Sequence, residues 1–178
     1  MKQPDIPVIE SSSIGTNFDM SPYTNSTLRL DMSIDFQGVT PMKVFDVMGD
    51  PQRMKDWYLL VKEIQMHPPN INGEIDFDVD FMLFGRVHEE ILYWNKPYQY
   101  VYKAFGDEFP IKDYIALIEI QEIGPQKGVM LWRQYFNEIE GVNNQNLLSV
   151  ILPAINEASL KRLAPLIGGT AITMQSHF

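Results

Sequence analysis

Apolar and polar residues alternate strictly from Leu28 to Phe36, the first strongly patterned stretch of the chain. Because a period of two places successive side chains on opposite faces of a strand, this segment is predicted to be a half-buried strand. Thr40 with Pro41, and Asp50 with Pro51, each combine a capping side chain with a proline at the first helical position. Two short helices are therefore predicted directly after the first strand.

Six further strand patterns follow between about residues 60 and 139, separated by turns rich in Gly, Pro and Asn. The pattern from Glu74 to Leu83 alternates most clearly. Four apolar residues (Ile75, Phe77, Val79, Phe81) alternate with four carboxylates, which predicts one buried and one acidic face.

Apolar residues from Leu147 to Ile167 recur at helical spacing and predict a long C-terminal helix. Asn143 or Asn144 is its predicted cap, and Gly168-Gly169 its end. Pro153 lies inside this segment, where a missing backbone N–H predicts a kink or a break. The chain is thus divided into a flexible arm (1–25), one domain (26–168) and a loose tail (169–178).

These elements predict an α+β fold in which a seven-stranded antiparallel sheet curls around one long C-terminal helix. A helix about 10–12 Å across cannot fill the concave face of such a sheet. We therefore expect an internal cavity, and apolar cavities are the usual binding sites for small molecules.

The net charge of −9 excludes nucleic acid and anionic membrane surfaces as general partners, because both would repel the protein. The absence of cysteine excludes disulfides and thiol catalysis. No window approaches the ~18 apolar residues of a membrane span, and the N-terminal residues do not resemble a signal peptide. We therefore expect a cytoplasmic protein.

The strand faces predicted to point inwards are rich in aromatic residues, which dominate cores and ligand pockets alike. For each residue, an ordinary place in the core is the alternative to contact with a ligand. The predicted ligand-binding residues are Trp57, Phe77, Phe81, Tyr100, Tyr102, Tyr114, Trp132, Gln134, Ile151 and Ile155.

Glu89 and Glu90 are adjacent in a predicted strand, so that one of them must face inwards. A buried carboxyl has a raised pKa and makes a candidate general acid or base, as does Tyr114. The alternative is that the strand twists so that both carboxylates reach solvent, or that the inner one forms an ion pair with Arg86 or Arg133. The three histidines lack the spacing of a helical zinc motif. Neither a metal site nor a cofactor is predicted.

A second apolar set falls on the outward face of the sheet and comprises Ile115, Leu117, Val129, Leu131 and Tyr135. Apolar patches of this kind are usually covered. We expect either the N-terminal arm or a second subunit of a homodimer to lie over this set.

Several motifs together resemble the polyketide cyclase/dehydrase and lipid-transport group of the START-like superfamily, also called SRPBCC, helix-grip or Bet v 1-like. The resemblance covers about residues 27–167. Its motifs are Asp50-Pro51 before Trp57, Glu89-Glu90-Ile91 followed by Lys96-Pro97 and Tyr102, Pro110 to Tyr114, and Gly128 to Trp132.

This resemblance implies a helix-grip fold but does not choose among the family's functions. The leading hypothesis is that the protein carries or senses a small hydrophobic molecule, such as a lipid or an aromatic polyketide. The alternative is a cyclase or dehydratase that uses an inward carboxylate or tyrosine. A third class is an interaction protein that uses the outward patch.

Overall fold

The computed structural model describes residues 8–9, 15–69, 71, 73–141 and 145–178. Nine strands in these residues form one sheet in the order β1-β9-β2-β8-β7-β6-β5-β4-β3. Neighbouring strands are antiparallel except β1 and β9, which are parallel. The strands are β1 (Val8–Ile9), β2 (Leu28–Gln37), β3 (Val61–Met66), β4 (Asp76–Phe81), β5 (Gly85–Asn95), β6 (Gln99–Phe105), β7 (Lys112–Gly124), β8 (Lys127–Asn137) and β9 (Gly169–His177).

Two short helices follow β2, as predicted: α1 (Pro41–Met48) and α2 (Met54–Trp57). The Thr40 side chain caps α1 by accepting a hydrogen bond from the backbone N–H of Lys43 at 3.3 Å. Asp50 accepts one from the backbone N–H of Gln52 at 3.0 Å and begins a 3-10 turn (Pro51–Arg53) that leads into α2. The caps read from the sequence thus set where α1 and the 3-10 turn before α2 begin.

The final helix, α3 (Leu152–Leu163), lies between a π-helical turn (Leu147–Ile151) and a 3-10 turn (Ala164–Ile167). Pro153 is the second residue of α3 and directly follows the π-helical turn, where the Leu152 backbone N–H donates to the Leu147 oxygen. The predicted interruption is therefore the π-helical turn that precedes the proline. Gly168, with φ of 67°, ends the helix as predicted. The predicted cap residues 143 and 144 lie outside the described residues.

α3 packs against the concave face of the sheet, which is the α+β helix-grip arrangement. Leu152, Ile155, Leu160 and Leu163 join the main core with the inward residues of β2 and β8. A polar contact also ties the helix to the sheet, since Asn156 Nδ2 donates to Gln134 Oε1 at 3.0 Å. No helix among the described residues is long and apolar enough to cross a membrane.

The prediction of seven strands and a loose C-terminal tail is wrong. The described residues contain eight strands of six or more residues besides the two-residue β1, because residues 169–177 form β9. β9 pairs with β2 and places Ile172 opposite Ile34. Its own sequence is mostly polar and small, so pairing with β2, rather than intrinsic strand preference, holds it in place.

Residues 15–25 lie against the outer face of the sheet, and the prediction that the arm covers the outward apolar set is confirmed for Ile115, Leu117 and Tyr135. Met20 is buried there, in a second apolar cluster with Phe18, Tyr23, Tyr93, Val101, Ile115, Leu117 and Tyr135. Both the Thr16 hydroxyl and the Asn17 backbone N–H donate to the buried Glu119 carboxylate. The flexible arm predicted for 1–25 is therefore wrong for 15–25, while residues 1–7 and 10–14 lie outside the described part.

Candidate ligand-binding site

A cavity lies on the concave side of the sheet, enclosed by β4–β8, α2 and the start of the final helix. The cavity has a volume of about 60 Å³. One water needs about 10–15 Å³ of such space, so the interior is small. The walls are formed by Met48, Gly49, Pro51, Met54, Trp57, Tyr58, Phe77, Phe81, Phe84, Val87, Glu89, Ile91, Tyr100, Tyr102, Ala104, Phe109, Pro110, Ile111, Tyr114, Ile118, Trp132, Gln134, Leu147 and Leu152.

Most of the residues predicted to bind a ligand line this cavity. They are Trp57, Phe77, Phe81, Tyr100, Tyr102, Tyr114, Trp132 and Gln134. Ile151 and Ile155 do not: Ile151 is 42% exposed, and Ile155 is buried in the core. Leu147 and Leu152 take their places on the wall. The reason is the π-helical turn, since a wider turn rotates the residues away from the face expected of a regular helix.

Glu89 is the inward member of the carboxylate pair and lies on the cavity wall with 6% of its surface exposed. Burial raises the pKa of its carboxyl from 4.5 to about 8. In the described part of the chain, the carboxylate makes neither a hydrogen bond nor an ion pair. The predicted partners are occupied elsewhere, since Arg86 pairs with Asp80 at 2.8 Å and Arg133 with Asp31 at 2.6 Å.

Glu90 faces the other side of the sheet and is not part of the cavity. Its carboxylate pairs with Lys103 Nζ at 2.7 Å and lies 3.7 Å from His88 Nε2. The suggestion of Glu90 as a catalytic residue of the cavity is therefore wrong. Alternation along β5 required one carboxylate to point inwards, and only the sheet register decides which.

Three tyrosines on the wall hold their hydroxyls in hydrogen bonds. Tyr102 and Tyr114 share one at 3.3 Å, and Trp132 Nε1 donates to the Tyr102 hydroxyl at 3.2 Å. The Tyr100 hydroxyl donates to the backbone oxygen of Met48 at 2.6 Å. Burial raises the pKa of each of these tyrosines well above its ordinary value. Tyr114 is therefore a neutral hydrogen-bonding group at neutral pH, not a base.

Trp57 contributes a second polar group without a partner. Its indole Nε1 is buried and makes no hydrogen bond within the described residues. The ring packs edge-on against Trp132, with centroids 5.6 Å apart. Buried polar groups are normally satisfied, so an unpaired N–H on a cavity wall is a position where a ligand acceptor would be stabilised.

Two polar residues, Tyr58 on the cavity wall and Asn156 hydrogen-bonded to it, were not predicted from the sequence. Tyr58 follows α2 directly, and its hydroxyl donates to Asn156 Oδ1 at 3.3 Å. Burial, with a smaller contribution from Glu89, raises the pKa of Tyr58. Asn156 is fully buried and joins Tyr58 to Gln134. The available signal was an asparagine among the apolar positions of the final helix.

The chemistry of the wall is restricted to apolar contact and a few hydrogen bonds. Among the described lining residues, Glu89 is the one ionisable carboxyl, and there is neither a histidine nor a cationic side chain. A metal ion needs several donor groups, so these residues do not form a metal site within the cavity.

Residues 27–168 match the family described as Polyketide cyclase / dehydrase and lipid transport, and the chain belongs to this family. The resemblance drawn from the sequence motifs is thereby confirmed. A comparison with curated proteins gives no match.

Solved structures share the fold at low sequence identity. Protein XoxI from Bacillus cereus is 18% identical with a TM-score of 0.63, over 78% of this chain and 94% of that one. A START superfamily protein from Mycobacterium smegmatis is 11% identical with a TM-score of 0.59, over 79% and 94%. The di-domain ARO/CYC protein StfQ from the steffimycin biosynthetic pathway is 12% identical with a TM-score of 0.59, over 79% and 52%. These likenesses establish the helix-grip fold.

Proposed function

We propose that this protein binds a small, mostly apolar molecule in the cavity, with Glu89 and Trp57 as its polar anchors. The observation that carries the proposal is an aromatic wall that holds one buried carboxyl without a protein partner. With a pKa of about 8, Glu89 is mostly protonated at neutral pH and both donates and accepts a hydrogen bond. The small interior favours a small ligand over a bulky one.

Binding is favoured over catalysis by the number of groups that can transfer protons. General acid–base chemistry usually needs a group that gives a proton and another that takes one. The described wall has one such carboxyl, and its tyrosines have pKa values too high for bases. The surroundings of Glu89 therefore support hydrogen bonding to a ligand more directly than they support turnover.

A cyclase or dehydratase remains the second candidate, because a pKa near 8 also suits a general acid. StfQ, one of the structures with this fold, is an ARO/CYC protein of a biosynthetic pathway. In this reading Glu89 exchanges a proton with the substrate, while Tyr102 and Tyr114 hold a substrate oxygen.

Native mass spectrometry of the full chain, purified from its own host, tests binding. We expect one small apolar molecule per chain. Ala104 lies on the wall directly opposite Glu89 across β5 and β6, so Ala104→Phe should fill the space and remove the molecule. Ala154→Phe, on the exposed side of α3, is the matched control and should retain it. Equal retention in both variants would contradict the proposal.

Glu89→Gln separates binding from catalysis in the same experiment. A binding protein should retain the same molecule in wild type and variant, with lower occupancy in the variant. A dehydrating enzyme should retain different molecules, because the variant would hold a precursor heavier by one water. Circular dichroism of each variant checks that it is folded.

A further inference from the structure

The outer face of the sheet carries a cluster of two histidines and an aspartate, on the opposite side from the cavity. His88 and Asp78 lie directly opposite each other on β5 and β4. His67 follows β3. Its backbone N–H donates to the backbone oxygen of Asp76 at 3.2 Å, which holds His67 beside β4. Because His88 precedes Glu89 by one residue in β5, the two side chains lie on opposite faces.

The three side chains converge on one point. His88 Nδ1 lies 2.8 Å from one oxygen of Asp78, and His67 Nε2 lies 3.3 Å from the other. One donor atom from each of the three residues lies within 4.8 Å of the other two. Ligands of a tetrahedral zinc ion, at bond lengths of about 2.0–2.2 Å, stand on the order of 3–4 Å apart. Small side-chain rotations would bring these donors to that spacing.

The second nitrogen of each histidine also faces a carboxylate. His67 Nδ1 lies 2.9 Å from Asp76, and His88 Nε2 lies 3.7 Å from Glu90. Carboxylates in these positions orient the imidazole rings of metal-binding histidines and make them stronger ligands. The two rings also stack on each other, with centroids 5.4 Å apart, which restricts their rotation.

Two cations lie next to the cluster but do not block it. Arg86 makes its short contact with Asp80 and is 4.0 Å from the nearer oxygen of Asp78. Lys103 pairs with Glu90. The side chains of His67, Asp78 and His88 are 30%, 16% and 24% exposed, so an ion could enter from solvent and retain water in the remaining positions.

We propose that His67 Nε2, His88 Nδ1 and the Asp78 carboxylate bind a divalent transition-metal ion of the zinc class. Two imidazoles and one carboxylate suit Zn²⁺ and its first-row neighbours, whereas Mg²⁺ and Ca²⁺ prefer oxygen ligands. The bound ion would join the end of β3 to β4 and β5. It would therefore stabilise this edge of the sheet without contacting the cavity.

The test is a calorimetric titration of the untagged full chain with Zn²⁺, after treatment with a chelator. We expect one ion per chain and a rise in melting temperature with Zn²⁺, because the ion binds the folded state. His67→Gln, His88→Gln and Asp78→Asn should each remove a ligand and abolish both effects. Asp76→Asn should weaken the affinity by about 10–100-fold, since it orients a ligand.

His177→Gln is the matched control, because it removes the remaining histidine from a strand far along the sheet order, β9. It should retain the stoichiometry and affinity of the wild type. Zn²⁺ binding that survives in His67→Gln and His88→Gln would overturn the proposal, as would a wild-type chain that binds no ion. Circular dichroism establishes that the variants without binding are folded.

Discussion

Asp31 and Glu119 on the outer face and Glu89 on the inner face are carboxylates with at most 6% of their surface exposed. The outer two are fully engaged. Asp31 accepts hydrogen bonds from Arg133 at 2.6 and 3.1 Å, and Glu119 accepts them from Thr16 and the Asn17 backbone. Glu89 has no such partner among the described residues.

The difference separates stability from function. On the outer face, each buried charge is matched by a donor, so that the arm segment and the sheet stabilise each other. On the inner face, desolvation of Glu89 is uncompensated and appears as a raised pKa. Buried polar groups without a partner cluster at functional sites. We infer that Glu89 lowers the stability of the inner face and is kept there to contact a ligand.

Removal of Arg133 should have the largest effect on the outer face. Arg133→Met leaves Asp31 buried with fewer donors and should lower the free energy of unfolding by about 3–5 kcal/mol. Urea denaturation measures the change. The matched control is Lys161→Met, which breaks the exposed Lys161–Glu157 pair and should cost about 0.5 kcal/mol or less. Arg29 Nε and His177 Nε2 also lie 3.0 and 3.3 Å from the Asp31 carboxylate, and a similar small loss for Arg133→Met would mean that these two side chains suffice to hold Asp31.

The covering segment should contribute through apolar contact as well. Met20 is 6% exposed, and Met20→Ala should lower the free energy of unfolding by about 2–3 kcal/mol, since it leaves a cavity in the outer cluster. Met42 is 43% exposed and serves as the control. Met42→Ala should change the free energy of unfolding by less than about 0.5 kcal/mol. Equal values from thermal or urea unfolding would show that residues 15–25 do not stabilise the sheet.

Glu89→Gln should change how stability depends on pH. Between the unfolded pKa of 4.5 and the folded value of about 8, the folded chain holds a proton that the unfolded chain releases. The Glu89 contribution to wild-type stability therefore falls by about 1.4 kcal/mol per pH unit as the pH rises through this window. Glutamine does not titrate, so the free energy of unfolding of the variant should rise relative to that of the wild type as the pH increases over the same range. Parallel stability curves from urea unfolding between about pH 5 and 8 would contradict a buried, unpaired carboxyl.

The smallest effect is expected at Glu90, the neighbour of Glu89 on the outer face. Its pair with Lys103 is partly exposed, so Glu90→Gln should cost only about 0.2–1 kcal/mol and less at high salt. Urea unfolding in the presence of a chelator, at two salt concentrations, measures this. If the effect of Glu90→Gln on the free energy of unfolding changed with pH as steeply as that of Glu89→Gln, the two carboxylates would not differ as proposed.

Local signals in the sequence were sufficient for most of the architecture. Strand patterns bounded by turn residues predicted β2 to β8, with clear alternation in β2 and β4, and the caps at Thr40 and Asp50 predicted the two short helices. These features depend on neighbours within a few residues, which the sequence displays directly. β9 was missed because its place depends on pairing with β2, which is more than a hundred residues away.

The sequence by itself also determined which strand faces are aromatic, and hence most of the cavity wall. The tertiary structure alone decided that Glu89 faces inwards without a partner, that Leu147 and Leu152 replace Ile151 and Ile155, and that His67 meets Asp78 and His88. The physical reason is that period and caps are local properties. Register, the rotation of a helix after a π-helical turn, and the pairing of charges depend on which distant strands become neighbours.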